Sequence, residues 1–86
     1  MQQEVDNILY KLGYFGADPQ LRQTVQGHIE LAEEFMVESG VPRDRLGTQR
    51  AYAVKALFAD AFDKNVPDTV IKNDGMVVAL IAQLRK

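Results

Sequence analysis

Cysteine and tryptophan are missing from this 86-residue chain, and histidine and serine occur once each, as His28 and Ser39. Without cysteine there is no disulfide, no thiolate metal ligand and no thiol nucleophile, although the redox compartment stays open. Long apolar runs are lacking too. The longest, Met76 to Ala82, has seven residues, against the roughly 20 needed to cross a bilayer. The opening MQQEVDN has neither the basic start nor the apolar stretch of a signal peptide. Positive charge is not in excess: the formal net charge is −2, which argues against a protein that grips nucleic acid over a generally basic surface. The six glycines fall into no dinucleotide or phosphate-loop pattern. The expectation is one small soluble domain over 1–86, made in the cytoplasm, with no membrane segment.

What is present is helical periodicity. Val5, Ile8, Leu9 and Leu12 recur at i, i+3, i+4 and i+7, predicting a short helix from about Glu4 to Leu12 that stops at Gly13. Asp18 and Pro19 are a cap and first-turn pair for a long second helix. Its apolar side carries Leu21, Val25, Ile29, Ala32, Phe35 and Met36, with His28 alongside. Gly40, Val41 and Pro42 end it. Thr48 caps a third helix from about Gln49 to Lys64, and Asn73 or Asp74 caps a fourth from Gly75 to about Arg85. The segment Thr69–Lys72 is compatible with a short strand, a helical turn or an extended link. The predicted fold class is all-α, a single domain of four helices.

The third helix is unusual. Ten of the twelve residues in AYAVKALFADAF, 51–62, are apolar, and the two exceptions, Lys55 and Asp60, lie roughly 140° apart on a helical wheel. Val54, Leu57, Phe58 and Phe62 form the expected core face. Tyr52, Ala53, Ala56 and Ala59 are left on the remaining surface, with Val78, Ala79 and Ala82 left over on the last helix. Alanine tolerates exposure because it is the best helix former, and it also lets a helix from another chain come close. The second reading makes Tyr52, Ala53, Ala56, Ala59, Val78 and Ala82 a subunit interface, covered by other copies of the chain.

Catalytic chemistry is hard to find. His28 reads as a packed core histidine and Ser39 as part of a helix stop, so no catalytic residue is assigned. Glu30, Glu33, Glu34 and Glu38 share a helix side, but no Glu-x-x-His accompanies them, so they read as a solvated acidic face rather than a metal site. No metal, cofactor or enzyme activity is expected. Arg43, Arg45 and Arg50 form a small basic patch, partly offset by Asp44. It is either a solvated loop or a contact for phosphate or an acidic partner. A regulatory helix-turn-helix would need a polar recognition helix, which the apolar third helix does not supply, yet a small regulatory DNA- or protein-binding module stays the alternative class.

The order of these elements resembles a known family. The long helix reads DPQLRQTVQGHIELAEEFMVESGVP, with Ile29, Ala32 and Phe35 at I-x-x-A-x-x-[FY] spacing and a break at Gly40. The alanine- and aromatic-rich helix ends in Phe62, Asp63, Lys64 and Asn65. The chain closes on Leu80, Ile81, Gln83, Leu84 and Arg85, an LI-x-QLR pattern. Together these resemble the head–tail connector proteins of tailed bacteriophages, also called head-completion or DNA-packaging adaptor proteins. The resemblance implies a non-enzymatic virion protein, made in the host cytoplasm. It forms a homo-oligomeric ring of about a dozen copies between the portal protein and the next neck or tail-completion protein. DNA would pass through the channel with only transient contact, and Gln83, Leu84, Arg85 and Lys86 would be the portal-docking tip.

Overall fold

The computed structural model describes residues 2–16 and 18–86. Among these residues the chain forms five α-helices and no strand: α1 (Gln2–Lys11), α2 (Pro19–Glu38), α3 (Gln49–Asp63), α4 (Asp68–Lys72) and α5 (Gly75–Leu84). A single 3-10 turn, Arg43–Arg45, precedes α3. The all-α architecture expected from the periodicity is therefore present, with four longer helices and one extra turn. That extra turn is α4, which contains Thr69–Lys72, the segment whose sequence is compatible with strand, helical turn or link. Pro67 starts it with φ −60° and the one-turn length fits its five residues.

Caps decide the boundaries. Asp18 accepts the Leu21 amide at 2.8 Å, Thr48 accepts that of Ala51 at 3.3 Å, and Asp74 accepts those of Met76 and Val77. Three helices end alike. Gly13, Gly40 and Asn65 have φ of 91°, 98° and 60°. In each case the next residue turns its amide back to a carbonyl five residues earlier: Tyr14 to Leu9, Val41 to Met36, Val66 to Ala61. This is the Schellman stop. The GVP at 40–42 and the NVP at 65–67 are two versions of one device, asparagine replacing glycine in the second. Each proline then blocks continuation and caps the next short element.

Two hydrophobic clusters meet on α3. One packs Met36 and Ala32 of α2, Val54 and Phe58 of α3, Ile71 of α4, and Val77, Ile81 and Leu84 of α5. Its aromatics run in series, with ring centroids 5.6 Å apart for Phe35–Phe58 and 5.9 Å for Phe58–Phe62. The other packs Val5, Ile8 and Leu9 of α1 on Val25 and Ile29 of α2 and on Ala59 of α3. Fully burying each of the larger aliphatic, methionine and phenylalanine side chains contributes about 1.5–3 kcal/mol before the entropy of ordering it. Gly27 does not mark a close approach: a Cβ there would meet nothing within 4 Å, so the glycine is merely tolerated in α2. The molecule measures 37 × 25 × 17 Å, and no helix among the described residues is long and apolar enough to cross a membrane.

The helix faces need correction at several positions. Ala59 has no exposed surface, because α1 lies across that side of α3. It cannot meet another chain. Tyr52 and Ala56 are half-buried against the same cluster, and the Lys11 ammonium sits 4.9 Å over the Tyr52 ring. The stripe is thus partly closed by the protein's own first helix, whose four apolar residues needed a surface and found the alanines. On α5, the helical spacing puts Met76 on the same side as Val77, Leu80, Ile81 and Leu84, yet Met76 is 63% exposed and stands at the edge of a groove beside α3. Leu84, assigned to a docking tip, is 4% exposed and belongs to the core.

Candidate functional site

Among the described residues, α3 borders three concave surfaces that bear on function. The first lies between α1, α3 and the start of α5. Its floor is Ala53, Ala56 and Leu57, its walls are Ile8, Leu12 and Met76, and Lys11 and Asp60 stand at its rim; it encloses about 340 Å³. Small residues make it: alanines at 53 and 56 leave a trough where larger side chains would fill the space. The predicted interface residue Ala53 is here, half-buried. Val78 (52% exposed) and the half-buried Ala82 lie on α5 outside the residues that line this groove.

The second surface lies between α2 and α4, over the C-terminal part of α3. Phe35, Phe58 and Phe62 form an aromatic floor, Leu31 and Val66 add apolar wall, and Glu34, Glu38, Asp68 and Lys72 stand around it, enclosing about 470 Å³. Leu31 is 51% exposed. The inward-facing residues of the two grooves, Ala53, Ala56, Leu57 and Asp60 against Phe58 and Phe62, sit roughly 170° apart on the α3 wheel. The molecule therefore carries two different apolar hollows on opposite flanks of one helix.

His28 closes one edge of the aromatic region, its ring 4.9 Å from that of Phe62. Burial pushes its pKa below the ordinary histidine value, with the nearby Asp63 carboxylate opposing in part. Its Nδ1 is buried and meets no hydrogen-bond partner among the described residues. Asp63 in turn accepts the Tyr14 hydroxyl at 2.8 Å, and that bond raises the phenol's pKa above its usual value. The loop after α1 is tied to the end of α3 in this way. Tyr10 and Phe15, 69% and 74% exposed, pack edge to face above it at 5.2 Å.

The third surface is basic. Arg45, Arg50 and Lys86 line one groove with Thr48, Gln49, Gln83 and Leu84, enclosing about 560 Å³. Arg45 donates to the Leu84 carbonyl at 2.6 Å, so the arginine loop and the C-terminal residues, separated by nearly 40 positions, share one end of the molecule. Arg85 donates to the Ser39 carbonyl at 3.1 Å. Arg43 parts from its sequence neighbours and borders the acidic side of α2, with Glu30, Glu34 and Glu38.

Sequence reasoning missed one site altogether. Lys55 is 1% exposed. Its ammonium meets the Glu4 carboxylate at 3.0 and 3.1 Å, the Glu33 carboxylate at 3.2 Å and the Leu46 carbonyl at 2.7 Å. Glu33 is thus not part of a solvated face; it is three-quarters buried and turned to Lys55. The apolar run around position 55 was the signal. A lysine set among core residues must take its charge to partners, and acids on α1 and α2 at the matching level are those partners. Among the described residues, no group of three or more His, Asp or Glu is placed to hold a metal ion.

No protein-family model matches the chain, and neither does any curated protein or solved structure.

Proposed function

We propose that this chain is a structural subunit that associates head to tail with copies of itself into a closed ring, acting as a connector of the phage head–tail type. It stands between a portal protein and the next neck protein while the genome passes through its channel. The observation that carries the reading is the pair of unlike apolar hollows on opposite flanks of α3. A two-fold dimer uses one patch twice; a ring needs two different patches, one on each side of every subunit. One hollow offers exposed Met76 and Lys11 at its margin, the other an aromatic floor bordered by Glu34 and Glu38. A methionine side chain adapts to aromatic surroundings, and the lysine and glutamates are of opposite sign, which fixes orientation more than it adds affinity.

The test is light scattering with electron microscopy on the wild type and on Met76→Glu. Met76 is the better probe than the alanines, because Ala56 also packs against α1 and its replacement would disturb the monomer. The wild type is expected to form annular oligomers with rising concentration or with portal protein present. Met76→Glu should stay monomeric with unchanged helical content. A wild type that remains monomeric under both conditions overturns the proposal.

A further inference from the structure

We propose that the groove lined by Arg45, Arg50 and Lys86 is a binding site for the phosphodiester backbone of nucleic acid, a role distinct from the ring contacts and made by another end of the molecule. The argument begins with how the ten lysines and arginines are distributed. Arg22, Lys55, Lys64 and Lys72 are each paired with a carboxylate, and Lys11 is set over the Tyr52 ring. Arg43, Arg45, Arg50, Arg85 and Lys86 form no ion pair with an acid among the described residues; Arg43 borders the glutamates of α2, and the other four stand at one end. Cations outside ion pairs are therefore concentrated at this end.

The groove is made of donors. No acid is among the residues that line it, and Gln49 and Gln83 add carboxamides beside the cations. Arg45 is fixed by its bond to the Leu84 carbonyl; a carbonyl holds the guanidinium in place without cancelling its charge. The first turn of α3 contains no acid either, so the positive end of a 15-residue helix dipole adds to the same field. Arginine forks match phosphate oxygens in pairs. Several cations spread along an open groove suit a chain of phosphates better than one small anion. With an overall charge of −2 and unpaired cations concentrated at one end, binding will be weak and indifferent to sequence, as a contact to backbone alone must be.

Three phosphate contacts set the expected salt dependence. The logarithm of the binding constant should fall against that of salt with a slope of about −2.7 for duplex DNA, so affinity drops about 40-fold between 50 and 200 mM salt. The experiment is fluorescence anisotropy of a labelled mixed-sequence duplex, titrated with the wild type and with the doubly substituted Arg50→Ala, Lys86→Ala protein. Both positions are exposed, so the melting temperature should not change. The slope should fall to about −0.9. Lys64→Ala, which removes a cation already paired with Asp60, should leave the slope as it was. Running the same titration on Met76→Glu separates this site from ring formation, because a monomer must retain the per-subunit slope. The proposal is overturned if the double variant keeps the wild-type slope. It is also overturned if poly-glutamate binds as tightly as the duplex, which marks an acidic protein surface, or if inorganic phosphate competes at equal phosphate concentration, which marks a small-anion site.

Discussion

Two regions of this small protein treat positive charge in opposite ways. At Lys55 the ammonium is buried, held by two carboxylates and a carbonyl, and has no contact with solvent to speak of. At the end formed by residues 45–50 and 83–86 the cations are mostly open to water, and what bonds they make are to carbonyls. The first arrangement has no charge left for a partner. It joins α1, α2 and the link before α3 at a single atom, through Glu4, Glu33 and Leu46. The second has charge and little structural work to do. Lysine and arginine counts, or a net charge, cannot distinguish the two; only the pairing does.

Removing the buried charge gives the largest effect. Lys55→Ala leaves Glu4 and Glu33 facing each other, each about a quarter exposed, and strips the Leu46 carbonyl of its donor. A cost of about 3 kcal/mol follows, near the lower bound for breaking a buried pair because the acids keep some water. Urea unfolding measures it. The combined Lys55→Met, Glu4→Gln, Glu33→Gln protein removes all three charges and should recover more than half of that loss. If the single variant costs no more than an exposed pair, under 1 kcal/mol, the contrast between the two regions collapses.

At the open end the same comparison predicts a smaller, steric effect. Gly40 sits at φ 98°, and a Cβ there would come within 3.2 Å of the Arg85 Cδ. Gly40→Ala therefore strains the helix stop and pushes the arginine off the Ser39 carbonyl, for a loss of about 1–2 kcal/mol. Arg85→Ala alone should cost less than 0.5 kcal/mol, being a surface side chain with one carbonyl bond. Together the two separate the backbone requirement from the charge, again by urea unfolding.

Much of the fold could be read in advance because its signals are local. Asp18, Thr48, Asp74, Gly13 and Gly40 each act within a few residues of themselves, and the boundaries they mark, the ends of α1 and α2 and the starts of α2, α3 and α5, lie where those residues imply. The start of α1, with no such marker, lies at Gln2 rather than near Glu4. The left-handed Asn65 was less visible, since asparagine takes that conformation far less regularly than glycine. What could not be read was which helix covers which. The alanines of α3 looked open because the periodicity of one helix does not say where another will lie, and α1 took Ala59. The same gap hid the Lys55 cluster, whose members come from positions 4, 33, 46 and 55, and the basic groove, which needs residues 45 and 86 to become neighbours. The acids on α2 looked alike in sequence; only the level of Lys55 across the helix interface sets Glu33 apart from Glu34.

His28 is an intermediate case between the two regions, a half-buried ionisable side chain whose buried nitrogen has no partner among the described residues. Burial against Phe62 lowers its pKa, with Asp63 only partly compensating. The folded protein then binds a proton there less readily than the unfolded chain does. Stability from this group is fully present above the unfolded histidine value, near pH 6.5. It declines as pH falls through the lower folded value, because the unfolded state takes up the proton first. Denaturation midpoints between pH 7.5 and 5 should therefore drop in the wild type more than in His28→Gln, which cannot titrate. This is the smallest of the predicted effects, since Asp63 opposes it. An equal decline in both proteins would assign the acid sensitivity to carboxylates and remove His28 from the comparison.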